Sequence, residues 1–166
     1  MSRFLAVFVV LQLGLFVLVE HVTVQHALVA PWTAGVIQLC SLLVTHFDQQ
    51  AAAMGNVLWS PALGVGVSIQ AGCNGVEAFL TLMAAILAFP ASWRNRLWGL
   101  GAGFVAVQAL NILRVISLFY LLQWNRAAFD FAHTYVWQGL IMLDVLVFWL
   151  IWVRVSSTGS FTSRRT

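Results

Sequence analysis

Four long stretches of almost unbroken apolar residues alternate with shorter polar stretches along the chain. A helix needs about 20 apolar residues to cross the hydrocarbon core of a bilayer. The pattern therefore predicts an all-α integral membrane protein with about four transmembrane helices in one domain, residues 1–153. A cleaved signal peptide is the alternative for the first stretch. Its N-terminal region has few basic residues and its candidate cleavage site is poorly formed, so an uncleaved helix is favoured. The predicted spans are Phe4 to about Val24, Gly72–Phe89, Leu97–Leu122 and Tyr135–Val153.

The chain between the first two predicted spans is less apolar. Thr33–Phe47 has apolar positions at helical spacing but is short for a span, which favours an amphipathic helix on the outer surface. Within Met54–Gln70 the sequence GVGVSIQ alternates as a strand does, so we predict a short β-hairpin-like segment. In the alternative, residues 31–70 would cross the membrane twice and bury several polar side chains.

Composition agrees with a protein dissolved in lipid. Of the 166 residues, 61% are hydrophobic and 8% are charged, whereas soluble domains are near 45–50% apolar and about 25% charged. All eight basic residues are arginines, and the net charge is +3. The arginines are scattered among apolar runs and form no basic patch, which excludes nucleic acid as a partner. The expected partner is therefore the lipid bilayer.

The arginines also predict orientation, because Arg-rich loops of membrane proteins face the cytoplasm. Arg3, the turn at residues 94–96 and the tail at 154–166 would share that side. The tail is basic and rich in Ser and Thr, which is typical of disorder. This arrangement places Cys73 and His133 on the outer side.

Three polar residues recur at helical spacing inside the third predicted span. Gln108, Asn111 and Arg114 lie at i, i+3 and i+6, which places them on one side of the helix. Polar groups at membrane depth are costly, so this stripe must face protein or water and is a candidate functional site. A structural ion pair or a clamp on backbone carbonyls is an equal alternative.

The sequence SIQAGCNGVEAF places Cys73 at the start of the second predicted span. The N-terminus of a helix favours a thiolate, and Gly72 and Gly75 would leave room for a substrate backbone. Asn74 offers an amide nearby. Glu77, at i+4, would share the helix face of the cysteine, where it orients a base, pairs with the arginine of the third span, or is merely structural. The alternative for the cysteine itself is a small buried apolar residue.

His133 would lie on the same side of the membrane, just before the fourth span. Histidine is the usual general base near neutral pH, although an interfacial, solvated ring is the alternative. A metal site that combines it with Asp130 lacks paired ligand spacing, and we predict no metal and no cofactor. Cys40 offers an alternative to a nucleophilic Cys73, because a disulfide between the two cysteines would make both of them structural. A thiol-disulfide protein that uses this pair is also conceivable, but no CxxC motif supports it.

A cysteine in GCNG, an arginine in NILR and a later histidine together resemble the exosortase/archaeosortase family of membrane transpeptidases. The family's Cys-Ser/Asn-Gly motif matches residues 73–75, its Asn-x-x-Arg motif matches Asn111 and Arg114, and its histidine matches His133. The resemblance covers roughly residues 57–150. The short chain is most similar to the exosortase H type.

The resemblance implies a membrane cysteine peptidase or transpeptidase with Cys73 as nucleophile, His133 as general acid and base, and Arg114 stabilising the oxyanion. The substrates would be exported proteins with a C-terminal sorting signal, namely a short IPTL-like motif, a membrane helix and a basic cluster. The family is typical of bacteria with an outer membrane, which implies a multi-pass inner-membrane protein with a periplasmic site. A non-catalytic membrane assembly factor or transporter subunit is the alternative. The expected supporting residues are Asn74, Gly75, Glu77 and Asn111.

Overall fold

A computed structural model of the chain describes residues 2–47, 51–70 and 72–162. They form a mostly helical membrane protein with a small antiparallel sheet, which confirms the predicted fold class. The elements in chain order are α1 (Ser2–Glu20), α2 (Val22–Val24), a first π-helical turn (Gln25–Val29), α3 (Ala30–Thr45), β1 (Ala52–Met54), β2 (Val57–Ser60), β3 (Val65–Ser68), α4 (Val76–Ala88), α5 (Trp93–Trp124), α6 (Arg126–Phe131), a second π-helical turn (Ala132–Val136) and α7 (Trp137–Thr162).

Within the described ranges, four helical stretches are long and apolar enough to cross a membrane. Their number agrees with the prediction, but their identity differs. The stretch predicted to span at residues 72–89 contains α4, which has only 13 residues and is about 20 Å long at 1.5 Å per residue. It is therefore shorter than the hydrocarbon core of about 30 Å. The four candidates are Ser2–Glu20, Val22–Thr45, Trp93–Trp124 and Arg126–Ser157.

Helices α1, α4, α5 and α7 pack into a bundle, in which α4 contacts each of the other three. Glycines allow close packing: a Cβ atom at Gly103 of α5 would lie 2.5 Å from the side chain of Leu82 on α4. Small residues at such positions let membrane helices approach closely. The buried members of the bundle core are Leu82, Ile86, Val107, Val145 and Trp152.

One end of the bundle joins the start of α1, the start of α5 and the end of α7. The Trp152 indole donates to the Asn95 carbonyl at 3.0 Å, and the Phe4 ring stacks on Trp149 with centroids 5.8 Å apart. The arginines predicted to share one side of the membrane belong to these segments, so the structure brings them to one end. They are Arg3, Arg94, Arg96 and Arg154.

Helix α5 extends beyond the bundle. Its 32 residues correspond to about 48 Å, well above the thickness of the hydrocarbon core of about 30 Å. Its second half packs against α3 and β3. Helix α3 and the three strands together form a unit that we call the cap. Ile37, Cys40 and Leu58 of the cap are fully buried there, together with Val115 and Phe119 of α5. The described residues thus form two apolar cores along α5.

The helix of the cap differs from the predicted amphipathic helix at residues 33–47. It forms one candidate span with α2 and the first π turn, from Val22 to Thr45. Its exposed side also carries apolar residues, Leu39 and Leu42 among them. The predicted amphipathic pattern is therefore wrong, and the helix is apolar on both sides. Its location on the outer surface stays a prediction.

The cap sheet is an antiparallel meander in the order β1-β2-β3. The strand predicted in GVGVSIQ is β3. The segment predicted to be hairpin-like forms three strands instead of two. Met54 pairs with Val57, so Gly55 and Asn56 form a two-residue turn. Gly55 has φ 61°, which such hairpin turns require and glycine adopts without strain. Strand β3 leads directly toward Cys73.

The stretch at residues 123–134, between the third and fourth predicted spans, carries no predicted helix. It is helical instead, because Asn125 caps α6 by accepting a hydrogen bond from the Ala128 amide at 3.1 Å. Helix α7 continues past Arg154 to Thr162, so the predicted disordered tail at 154–166 is helical over most of its length. Residues 163–166 lie outside the described part of the chain.

Candidate active site

Cys73 lies in a loop that precedes α4. The helix begins at Val76 with Gly75 as its N-cap, so the prediction that Cys73 starts this helix is wrong by three residues. Gly72 and Gly75 have φ values of 85° and 77°, a left-handed conformation that glycine adopts without strain. The amide of Cys73 donates to the carbonyl of Gln70 at 3.0 Å and closes the turn.

Asn74 fastens this loop to the cap. Its side chain is fully buried, and Nδ2 donates to Oγ1 of Thr33 at 3.1 Å. Its Oδ1 accepts from the Val76 amide at 3.0 Å, and its carbonyl accepts from the indole of Trp32 at 3.4 Å. Because both ends of the amide are in use, Asn74 supports the loop and does not offer its amide to a substrate.

Gly75 is required by packing as well as by its backbone conformation. A Cβ atom at this position would lie 2.8 Å from Nε2 of Gln108, closer than real Cβ contacts. At Gly72, by contrast, no heavy atom lies within 4 Å of an added Cβ. Open space beside the backbone is therefore present at Gly72 but not at Gly75, and its use by a substrate stays a prediction.

Glu77 ties the loop to the first turn of α4. Its Oε1 accepts a hydrogen bond from the Gly72 amide at 2.7 Å, and the N-terminal end of the helix stabilises its negative charge. Because Cys73 is not helical, the expected shared helix face does not exist. The suggested pairing with Arg114 is also not seen in the described residues, and that guanidinium donates to sulfur instead.

The polar stripe lies on a buried side of α5, as predicted. Gln108, Asn111 and Arg114 are 7%, 1% and 2% exposed. Nη2 of Arg114 donates to the sulfur of Cys73 at 3.3 Å. Its Nη1, both amide atoms of Asn111 and Oε1 of Gln108 have no partner within the described residues. Buried polar groups normally have partners, so these atoms are suited to water or to a bound substrate.

His133 lies in the second π turn and reaches the same sulfur. Its Nε2 is 3.9 Å from Sγ of Cys73, and its ring stacks on Phe129 with centroids 5.6 Å apart and planes 7° from parallel. The stacking favours an imidazole orientation parallel to the Phe129 ring. Single π-helical turns occur often at functional sites.

Two side chains from distant parts of the chain thus converge on one thiol. Arg114 is 41 positions from Cys73, and His133 is 60 positions away. Cys73 is partly exposed and His133 is exposed, so the sulfur contacts a buried fixed cation and an accessible imidazole. This combination is suited to nucleophilic attack on a carbonyl, and the individual roles stay predictions.

Cys40 has a different environment. It is fully buried in the apolar core of the cap, and both cysteines are free. The alternative in which Cys40 and Cys73 form a disulfide is therefore not supported by the structure. As for metals, no group of three His, Cys, Asp or Glu side chains within the described ranges could hold an ion.

Sequence reasoning missed the residues that support the site, among them Trp32, Thr33 and Phe129. Thr33 accepts from Asn74, and nothing in its local sequence signals this contact across 41 positions. Phe129 stacks on His133, and its spacing of four residues could have revealed it, because residues at i and i+4 are neighbours on a helix.

A comparison with known families agrees with this geometry. The family described as "Transmembrane exosortase (Exosortase_EpsH)" matches residues 2–154. The chain belongs to this family of transmembrane exosortases. The match begins well before residue 57, so it includes α1 and the cap as well as the bundle, and it confirms the resemblance. No curated protein and no solved structure shows significant similarity to the chain. Family and fold together establish a multi-pass membrane protein of the exosortase type.

Proposed function

We propose that this transmembrane exosortase is a cysteine peptidase or transpeptidase that cleaves the C-terminal sorting signal of exported proteins. The supporting observation is the pair of contacts at one sulfur, from Nη2 of Arg114 at 3.3 Å and from Nε2 of His133 at 3.9 Å. A thiol with an adjacent base and a fixed positive charge has the parts that acyl transfer needs.

In the first half-reaction, the thiol of Cys73 gives its proton to Nε2 of His133. The thiolate attacks the carbonyl carbon of the scissile peptide bond, and the π electrons of the C=O bond move to oxygen. The guanidinium of Arg114 stabilises this oxyanion, a type of contact worth about 3–4 kcal/mol in well-studied enzymes. The intermediate then collapses, the C–N bond breaks, and the amine leaves with the proton from His133. A thioester on Cys73 remains.

In the second half-reaction, a nucleophile opens the thioester. Water or an amine gives a proton to His133 and attacks the carbonyl carbon, and the C–S bond breaks. The thiolate recovers its proton from His133, and the enzyme is restored. Water yields hydrolysis and an amine yields transpeptidation, so the identity of this second nucleophile decides the outcome.

The proposed location is the inner membrane of a bacterium, with the site on the periplasmic side. The arginine-bearing end of the bundle would face the cytoplasm. Asn95 marks that end, and Gln108 packs beneath Gly75 in the cysteine loop. These two residues are 13 positions apart on α5, or about 20 Å at 1.5 Å per residue. With this orientation, the thiol would lie in the outer half of a core about 30 Å thick.

The proposed substrates follow from this depth. A protein that carries a short motif, an apolar helix and a basic cluster would place its helix beside the bundle and its cluster in the cytoplasm. Its motif would then reach the outer half of the membrane, where Cys73 lies. The H type and its IPTL-like motif stay predictions from the resemblance.

The test uses a reporter protein that is exported and ends in Ile-Pro-Thr-Leu, an apolar helix and an arginine cluster. Co-expression with the wild-type protein should shorten the reporter, and Cys73→Ala should abolish shortening while the protein remains in the membrane. Cys40→Ser is the matched control and should retain activity. Mass spectrometry of the product end distinguishes a free carboxyl group from a new amide. Shortening that persists with Cys73→Ala would contradict the proposal and favour a non-catalytic role.

A further inference from the structure

A second concave site lies directly behind the cysteine loop. It is a pocket of about 370 Å³ between the first π turn, the β1–β2 turn and the residues that follow β3. We call it the cap pocket. Its lining consists of Gln25, Val29, Ala30, Thr33, Ala34, Gly55, Asn56, Ile69, Gln70 and Asn74.

The cap pocket and the thiol share one piece of backbone. The carbonyl of Gln70 accepts from the amide of Cys73 at 3.0 Å, and Asn74 is the next residue along the chain. Asn74 is also fixed to Thr33 on the opposite wall at 3.1 Å. A chain that occupies the pocket would therefore contact Gln70 and Asn74, which lie on either side of Cys73 in the sequence.

The chemistry of the lining is that of a peptide site. Its described residues include no charged side chain, and apolar residues lie between the amides of Gln25, Asn56 and Gln70. The amide nitrogens of two of them are engaged by the protein: Gln25 donates to Val19 at 2.8 Å, and Asn56 donates to Ile69 at 3.0 Å. Their amide oxygens have no assigned partner among the described residues, so they are available to accept from a ligand.

The backbone supports a functional assignment independently of the lining. The structure has two π-helical turns within its described residues. One carries His133 at the active site, and the other, Gln25–Val29, forms a wall of the cap pocket. Such turns are rare and concentrate at functional sites.

We propose that the cap pocket binds an uncharged segment of the protein substrate next to the scissile bond and so determines substrate specificity. This inference rests on the proposed function. The amide oxygens would accept from backbone N–H or hydroxyl groups of the segment, and Val29 and Ile69 would contact its apolar side chains. A phosphate or lipid headgroup would find no cation among the described lining residues, and a lipid tail would leave the amides unpaired.

The experiment measures binding without turnover. In the full-length Cys73→Ala protein, a photo-crosslinking amino acid replaces Gln70 at the exposed rim of the pocket. The probe is the reporter with the Ile-Pro-Thr-Leu motif, and a reporter with Glu in place of its Thr is compared. We expect a crosslink to the first reporter and a loss of roughly tenfold with the second, the effect of about 1.4 kcal/mol.

A filled pocket provides the matched control. Ala34→Leu inserts a larger side chain into the lining, whereas Gln38→Leu changes an exposed residue one helical turn away that is not part of the pocket. Only Ala34→Leu should remove the crosslink. Gln25→Glu adds a negative charge to the lining and should also weaken the crosslink. This variant replaces Ala34→Leu in the test if Ala34→Leu fails to fold.

The outcomes separate the two proposals. A crosslink that is insensitive to Ala34→Leu, to Gln25→Glu and to the charge in the motif would overturn the cap pocket as a specificity site. The proposed function would still stand if shortening of the reporter depends on Cys73. Shortening without Cys73 would instead remove the proposed function, whatever the crosslink shows.

Discussion

Nη2 of Arg114 donates a hydrogen bond to the sulfur of Cys73 at 3.3 Å, across 41 positions of sequence. The arginine is 2% exposed, and side chains on a helix lean toward its N-terminus, which turns this guanidinium back along α5. Its second amino group, Nη1, is buried without a partner among the described residues. One end of the guanidinium fork thus contacts the nucleophile, and the other end has no partner in the described part of the chain.

The first prediction concerns this fork. Arg114→Lys keeps the positive charge but replaces two planar amino groups with one compact ammonium. We expect the turnover of the reporter to fall by about 10²–10³, the cost of losing an oxyanion donor, while KM changes little. Steady-state kinetics in detergent micelles measures this. Arg126→Lys, at an exposed position on α6, is the control, and equal losses in both variants would exclude a specific role for the fork.

The site was partly predictable from sequence because its residues carry local signals. The spacing of Gln108, Asn111 and Arg114 predicted a buried side of one helix, and all three are buried. The meeting of Arg114 with Cys73 and His133 could not be predicted from spacing, because three separate segments contribute. Only the resemblance to a family supplied that set, and the geometry brings its members together.

The fold was predictable where apolar length decides the structure. The spans around α1, α5 and α7 agree with the apolar runs, whereas residues 72–89 were assigned too long a helix. There Gly72 and Gly75 adopt left-handed backbone conformations, so the apolar run is divided between a loop and a short helix. The cap helix was also misjudged, because α5 provides an apolar surface above the bundle that no local pattern reveals.

The second prediction concerns Gly75. Gly75→Ala places a Cβ atom 2.8 Å from Gln108 and forces alanine to φ 77°. Such strain costs about 1–3 kcal/mol, so we expect a lower midpoint of thermal unfolding in micelles. Gly101→Ala is the matched control, because no heavy atom lies within 4 Å of its Cβ position and alanine favours helix. An unchanged midpoint for Gly75→Ala would show that the cysteine loop can shift.

The third prediction concerns the link between the cap and the cysteine loop. Thr33→Val removes the oxygen that accepts from Asn74 at 3.1 Å and leaves a buried amide unpaired, at a cost of about 1–3 kcal/mol. Thr45→Val is a control in the same helix, because Thr45 bonds to the carbonyl of Ser41 within its own helix. We expect Thr33→Val to lower both stability and reporter turnover. The same losses in Thr45→Val would assign the effect to α3 rather than to the loop.

The fourth prediction tests accessibility and sidedness together. Cys73 is partly exposed, whereas Cys40 is fully buried in the cap core. In intact spheroplasts, a membrane-impermeant maleimide should label the Cys40→Ser protein through Cys73 and leave the Cys73→Ser protein unlabelled. Labelling of Cys73 only in inverted vesicles would place the site in the cytoplasm and reverse the proposed orientation. Labelling of Cys40 instead would mean that the cap opens, because its thiol has no surface in the closed structure.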